Sequence, residues 1–461
     1  MPAGLAAGRD EIAAEPARLT RASPQAGQAQ RSRPLTSRRS HSPSAAADRR
    51  RPGREPDPRV EGSGVAAVRA DHALVDGHYL VDVMSRLARV PTDVPLGFNT
   101  LIEPDDPKLV RYVQDFVRPE LVRIGAYDLL DVPRNNLVVR LGVGRRDRAL
   151  LIQNYTPAQH HNLMAEPFSG KVGNGAAYGC PEPVVFGQGV SQNKAHQAVM
   201  LAVLKMLIES GAPIEGTLYW AINNEGRSSH ECSDAIVAAL TPKPSFGIIQ
   251  IGTGLAISLG NRGRVDVNVH VRGRAAHSST PEEGLSAIDA ANEIINRLRR
   301  LTWPDRHPVL GERHAIVYKM RFEPVAPHTL PAEAFLTVDR RLLPGDDPAA
   351  ATEEVRRAIG DMRPYEVSVE TGVLMWPALV DPDSEWVAAL QASHERVLGA
   401  EAGTVYGRGT FDAGGPCKMG VPTVMYGATG GVWPTGADFV PISAALAEAK
   451  VLAGLILAQL A

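Results

Sequence analysis

The stretch Gly260–Ile288, GNRGRVDVNVHVRGRAAHSSTPEEGLSAI, constrains the fold more than any other part of the chain. Val265, Val267, Val269 and Val271 alternate with Asp266, Asn268 and His270, the period of two expected of a strand with one buried face. Gly273 ends that strand. Thr280 then offers a helix cap, Pro281 suits a first helical position, and Glu283 completes a capping box three residues after Thr280. Leu285, Ile288, Ile294, Ile295, Leu298 and Leu301 would line one apolar helix face. Between strand and helix stands His277, in a polar turn with Ser278 and Ser279. An isolated histidine of this kind would ordinarily bond only its own turn.

Elsewhere, β-like runs (Leu137–Leu141, Ala149–Gln153, Thr217–Ile222, Phe246–Ile251, Val421–Tyr426) alternate with helical patterns over 72–90, 105–125, Lys194–Glu209, Ser384–Leu398 and Ser443–Leu460. That alternation predicts an α/β fold, a mostly parallel sheet with helices on both faces. Residues 257–375 interrupt it with the strand and helix above, a strand Ala334–Asp339, a helix Pro348–Gly360 and a strand Tyr365–Glu370. The expected organisation is an α/β domain over 70–256 and 376–461 with an α+β lid inserted at 257–375. Residues 1–69, rich in Arg, Pro, Ala and Ser, cannot bury enough apolar surface to offset ordering entropy and read as a disordered tail. The tail lacks the apolar core of a secretory signal.

The bulk numbers exclude several classes. The 461 residues suit two or three domains, and a net charge of −2 points to no nucleic-acid partner. No apolar run of about eighteen residues stands out, so no membrane span is expected. Three cysteines (Cys180, Cys232, Cys417) are too few for a disulfide framework and fit a reducing, cytoplasmic setting.

G-x-R-G, a strand, R-A-A-H-S-S and then P-x-x-G-x-x-A-I resembles the lid segment of the M20 family of metallopeptidases and amidohydrolases. P-F-S-G at Pro167–Gly170 and P-G at Pro344–Gly345 fit the same pattern, and the resemblance runs over roughly 75–461. It implies a zinc-exopeptidase-like α/β domain and a homodimer joined through the lid. It also implies hydrolysis of an amide bond in a small carboxylate-bearing substrate, such as an N-acyl amino acid or small peptide. In the family two zinc ions share a bridging Asp and a bridging water. His277 matches the histidine that reaches the partner's site and stabilises an oxyanion. Arg341 matches the arginine that grips the substrate carboxylate, a natural task for a planar bidentate donor. His328 replaces an asparagine that helps. Gly409 and Thr410, ahead of Asp412, match a G-T-x-D-A region, and Gly430 and Gly431 fall in a glycine-rich loop beside the substrate.

The zinc ligands themselves do not carry over. Tyr155 stands where the first ligand histidine belongs and Pro157 where its orienting Asp belongs. Gln192 replaces the bridging Asp, Ile251 another ligand, and Pro434 the last histidine. Of the Glu-Glu pair only Glu225 remains, beside Asn224; it takes the metal-ligand place or, shifted by one residue, that of the general base. A phenol and an amide oxygen are weak ligands for zinc, so the usual two-zinc site is not expected. His160, His161, His196 and His230 lie close to the lost ligands. With Glu225 they could rebuild a site for one zinc or another divalent ion, since imidazole suits zinc. The other alternative is no metal. Two readings stay open: a hydrolase using His277 and Glu225, or a catalytically inactive binding or scaffold protein. The strand Val265–Val271 is expected to be an exposed edge in a monomer, covered by pairing with a second copy.

Overall fold

A computed structural model describes residues 74–95, 101–142, 144, 148–158, 164–226, 229–431 and 436–461; the expected tail lies outside them. The chain enters through α1 (Gly77–Ala88), α2 (Pro107–Arg111), one π turn and α3 (Arg118–Arg123), then the hairpin β1 (Leu129–Val132) and β2 (Asn136–Leu141). β3 (Ala149–Tyr155), β4 (Val172–Gly175), β5 (Cys180–Phe186) and α4 (Ala195–Glu209) follow. Next come β6 (Thr217–Asn223), α5 (Glu231–Ala239), β7 (Phe246–Gln250) and β8 (Ile257–Asn261). The lid holds β9 (Gly263–Arg272), β10 (Ala276–His277), α6 (Ala287–Leu298), β11 (Ala315–Glu323), β12 (Thr329–Leu330), β13 (Glu333–Leu342), α7 (Pro348–Ile359) and β14 (Glu366–Met375). The chain returns through β15 (Ala378–Leu379), α8 (Glu385–Leu398), β16 (Thr404–Gly407), α9 (Gly414–Lys418), β17 (Thr423–Tyr426), β18 (Phe439–Pro441) and α10 (Ile442–Leu460).

Among the described residues the central sheet runs β1-β2-β6-β3-β7-β17-β8-β15, with β16 also on β8. β6, β3, β7 and β17 are mutually parallel neighbours. Every residue of β3, β6 and β7 is buried, as strands covered on both faces must be. Leu150 and Ile152 of β3 enter the larger core with α1, α4, α8 and α10. Ala149 and Leu151 face the smaller core under α5. Each fully buried aliphatic side chain of this kind stabilises the fold by about 1.5–3 kcal/mol. The α/β class with its inserted α+β unit is thus what the chain forms.

The lid is an antiparallel sheet, β11-β13-β9-β14, with α6 and α7 on one face. Val265, Val267, Val269 and Val271 pack with Ala334, Leu336 and Val338 against Ala290, Ile294 and Val355 of those helices. Three expectations need correction. β9 is not an edge: it lies between β13 and β14, and the sequence reading missed the outer strand β11 because its exposed Ile316, Tyr318 and Met320 are as apolar as its inward Ala315 and Val317. Residues 257–261 belong to the central sheet, so the lid begins one strand later than the expected boundary. Thr280–Glu283 does not start the long helix. Pro281–Glu283 is a single 3-10 turn, Gly284 is extended, and Ser286 caps α6, its hydroxyl accepting from Asp289 N at 3.4 Å.

α10 is long and apolar enough to cross a membrane by length and hydropathy (mean 1.5), which the sequence reading passed over. Half of that stretch is buried against the rest of the protein, and Glu448 lies fully inside, so it is a core helix.

Candidate active site

The C-terminal ends of parallel strands are where sites form in open α/β sheets, and here they gather the altered motif residues. β3 ends on Tyr155, which pairs with Asn223 at the end of β6. The loop after β7 carries Ile251–Thr253 and meets the loop after β17: Thr253 N donates to Gly427 O at 3.1 Å, and Gly254 N to Thr429 Oγ1 at 2.8 Å. Asp438 accepts from Gly189 N at 2.6 Å and Ser191 N at 2.9 Å, fixing the turn that leads into α4.

Tyr155 is buried, and its hydroxyl makes no hydrogen bond among the described residues although it lies beside Asp412 and Ser233. Burial, then the Asp412 charge, pushes the phenol well above its ordinary pKa, so it stays neutral. Asp412 sits in the loop between β16 and α9. It is half-buried as a residue, yet burial of its carboxyl, followed by the Tyr155 contact and the nearby charge of Glu225, leaves its pKa at about 7. Asp412 entered the sequence reading only as a landmark; its enclosure beside a second carboxylate is a tertiary fact.

Glu225 is buried and turned toward α5. Its Oε2 accepts from Ser229 Oγ at 2.9 Å and Cys232 N at 3.3 Å, a carboxylate at a helix N-terminus. Asn224 bonds the β1–β2 turn through Asn135 O and Asn136 Oδ1.

Among the described residues, the histidine candidates His196 and His230 do not converge into a metal site. His196 Nδ1 lies 3.0 Å from both oxygens of Glu448, and both side chains are fully buried. Glu448 also accepts from Gln250 Nε2 at 2.7 Å and Ala428 N at 2.9 Å, so this network props the loop after β17 from beneath. His230 accepts from Trp376 N at 3.3 Å, and burial lowers its pKa to about 4. His160, His161 and Pro434 lie outside the described residues. Among the described residues no three His, Cys, Asp or Glu side chains are grouped to hold a metal ion. With a protonated phenol at Tyr155, an amide at Gln192 and an alkyl chain at Ile251, the donors present do not fit a pair of zinc ions.

The lid supplies the other candidates. His277 is exposed, its Nδ1 2.7 Å from Ser279 Oγ, and its ring centre is 6.0 Å from that of His328. His328 holds a positive φ of 53°, uncommon for a side chain of this size. Arg341 donates through Nη2 to Asp339 Oδ2 at 2.8 Å, while its Nε and Nη1 are buried without a hydrogen-bond partner among the described residues. Arg341 and the His277–His328 pair occupy opposite ends of the lid. β13 alone, from Glu333 to Arg341, spans about 27 Å at ~3.4 Å per residue. Gly409 lies against the Phe411 ring and Thr410 is half-buried beside it. At Gly430 a Cβ would fall 1.6 Å from the Phe439 carbonyl oxygen, so that glycine permits close backbone approach. Gly431 N donates to Phe439 O at 2.9 Å.

Residues 259–365 match the peptidase dimerisation domain of M20 proteins. The chain also aligns, at 22% identity over 271 residues, with succinyl-diaminopimelate desuccinylase of Maricaulis maris, covering 56% of this chain and 69% of that protein. The chain thus carries a peptidase dimerisation domain of the M20 type and is similar to M20 proteins beyond it. Another relative is the Escherichia coli protein YgeY, 24% identical over 334 residues, or 68% of this chain and 80% of that one. Among solved structures, the M20 family metallo-carboxypeptidase of Sulfolobus solfataricus shares the fold with a TM-score of 0.62. The match is at 17% identity over 82% of this chain and 98% of that one.

Proposed function

We propose that this chain hydrolyses the amide bond of a carboxylate-bearing substrate, an N-acyl amino acid or small peptide, without the usual two-zinc centre. The observation that carries the reading is Arg341, whose two buried N–H donors face no protein acceptor among the described residues. A buried, unpaired guanidinium donor is costly, and a carboxylate oxygen of a ligand would satisfy it.

Asp412 is our candidate base, since a carboxyl with a pKa near 7 can both take and return a proton at neutral pH. In this reading a water oxygen attacks the acyl carbon while Asp412 takes the water's proton. The C–N bond then breaks, and Asp412 passes that proton to the departing amine. Tyr155, held neutral, would donate toward the carbonyl oxygen, as would His277 of a second protomer. Glu225, metal ligand or base in the motif's two alternative registers, supports this arrangement as the cap of α5 and as a neighbouring charge. A homodimer is part of the proposal. The outer strand β11 exposes Ile316, Tyr318 and Met320, and an apolar edge of that kind calls for cover. Cytoplasmic residence belongs to it too, in keeping with three free thiols.

A second reading is a binding protein with no turnover. It is favoured by Tyr155, Gln192 and Ile251 at ligand positions and by the commitment of Glu225 to α5. Purified full-length protein, assayed for metal content and against a panel of N-acyl amino acids and dipeptides, separates the two. Turnover that persists after chelation and is lost in Asp412→Asn supports the first. Binding without turnover supports the second. Turnover that depends on about one equivalent of tightly held zinc would return the histidines and Glu225 to the centre of the chemistry.

A further inference from the structure

β8 and β16 run parallel, and their register sets Gly407 beside Asn261. The next residues, Arg408 and Arg262, therefore leave the sheet together at the hinge into the lid. Just past that hinge Arg264 opposes Arg341 and Gly263 opposes Leu342, so β13 delivers Arg341 to the same corner. Arg262 is only 7% exposed; its Nε donates to Leu310 O at 2.6 Å, and its Nη1 lies 3.5 Å from His314 Nδ1. Its guanidinium is held below its ordinary pKa by burial first, then by the charges of Arg408 and Arg341.

Counter-charge at this corner is short. Asp339 pairs with Arg341 at 2.8 Å. Glu312, which also acts on Arg262, lies 3.9 Å from Arg306, and Arg264 is matched by Asp266 at 3.1 Å. Among the described residues, Asp339 is the one carboxylate in an ion pair with Arg262, Arg341 or Arg408, and a single ligand carboxylate would leave a further guanidinium unpaired. Nη1 of Arg341, without a hydrogen-bond partner among the described residues, marks one place for an anion; Arg408, exposed beside Arg262, marks a second.

We propose that this corner selects a substrate with two carboxylates, an N-acyl acidic amino acid, with Arg341 taking one carboxylate and Arg408 beside Arg262 taking the other. The proposal rests on the carboxylate reading of Arg341 and adds Arg408 as the residue that sets specificity. Fork-shaped guanidiniums arriving from the sheet hinge and from the lid suit two planar carboxylates.

The test is calorimetric titration of the full chain with N-acetyl-L-glutamate and with N-acetyl-L-glutamine, which match in size and differ by one charge. Wild type should bind the glutamate compound about tenfold tighter or more, and Arg408→Gln should shrink that ratio to about twofold. Equal affinities in wild type, or a ratio unmoved by Arg408→Gln, overturn the second-carboxylate proposal while leaving a single-carboxylate site intact. Arg341→Gln should weaken both compounds. If instead N-acetyl-L-glutamine binds that variant as it binds wild type, the role of Arg341 is what fails. If neither compound binds wild type, both ideas fall.

Discussion

Asp412 carries a proton near neutrality that an ordinary aspartate would have released. Its folded pKa of about 7 stands above the usual 3.8, so the stability it contributes is complete below about pH 4 and is lost as pH rises through 7. Over that range the unfolded chain gives up its proton first. Asp412→Asn, which cannot ionise, should therefore flatten the fall in melting temperature between pH 5 and 8. It should also gain on the order of 1 kcal/mol or more over wild type at pH 8. Melting curves of both proteins across that range check it. If the chain is a hydrolase, kcat should climb through pH 7 in wild type and vanish in the variant. Arg341 and His277 entered the reading with roles because each sits in a landmark of the lid. Asp412 and Arg408 did not, since their importance comes from what the fold sets beside them: Tyr155 and Glu225 for one, Arg262 for the other.

At the level of elements, period-two valines and the strand–helix alternation gave β9 and the central sheet, because apolar periodicity reports burial directly. Less legible was the start of α6. Thr280 and Ser286 can both cap, and extended Gly284, closed in by Ala276 and Leu330, decides for the later start. Nor does sequence periodicity say which strand is outermost; β11 could be placed only through its register with β13. α10 shows how a charge can be the sign of a core helix. Glu448 serves His196, Gln250 and the Ala428 amide at once. Glu448→Ala should cost about 3–5 kcal/mol, as removing one member of a buried charged group does. The urea midpoint would report it. A loss under 1 kcal/mol would mean the network is not knit as described.

For the whole molecule, β11, one of the two outer strands of the lid, is the surface that most needs a partner. Replacing Tyr318 and Met320 together by lysine places two charges on β11 without touching the helix-covered lid core. Light scattering at micromolar concentration should then give the monomer mass where wild type gives twice that. A wild-type protein that is already monomeric removes the dimer from the proposal. Such a charged variant should also lose activity if each site borrows His277 from its neighbour.

The length of β13 has one more consequence. With His277 and Arg341 at opposite ends of the lid, two separately crippled proteins can mend each other. In a mixed pair of His277→Ala and Arg341→Ala subunits, one of the two sites inherits both defects and the other inherits neither. After unfolding and co-refolding in equal amounts, half the pairs are mixed and each holds one sound site. Activity should therefore return to about one quarter of wild type, from two preparations that are each nearly dead. Complementation of this kind is invisible to any assay of either variant alone, and it would turn a distance along one strand into a statement about which chain owns which half of the chemistry.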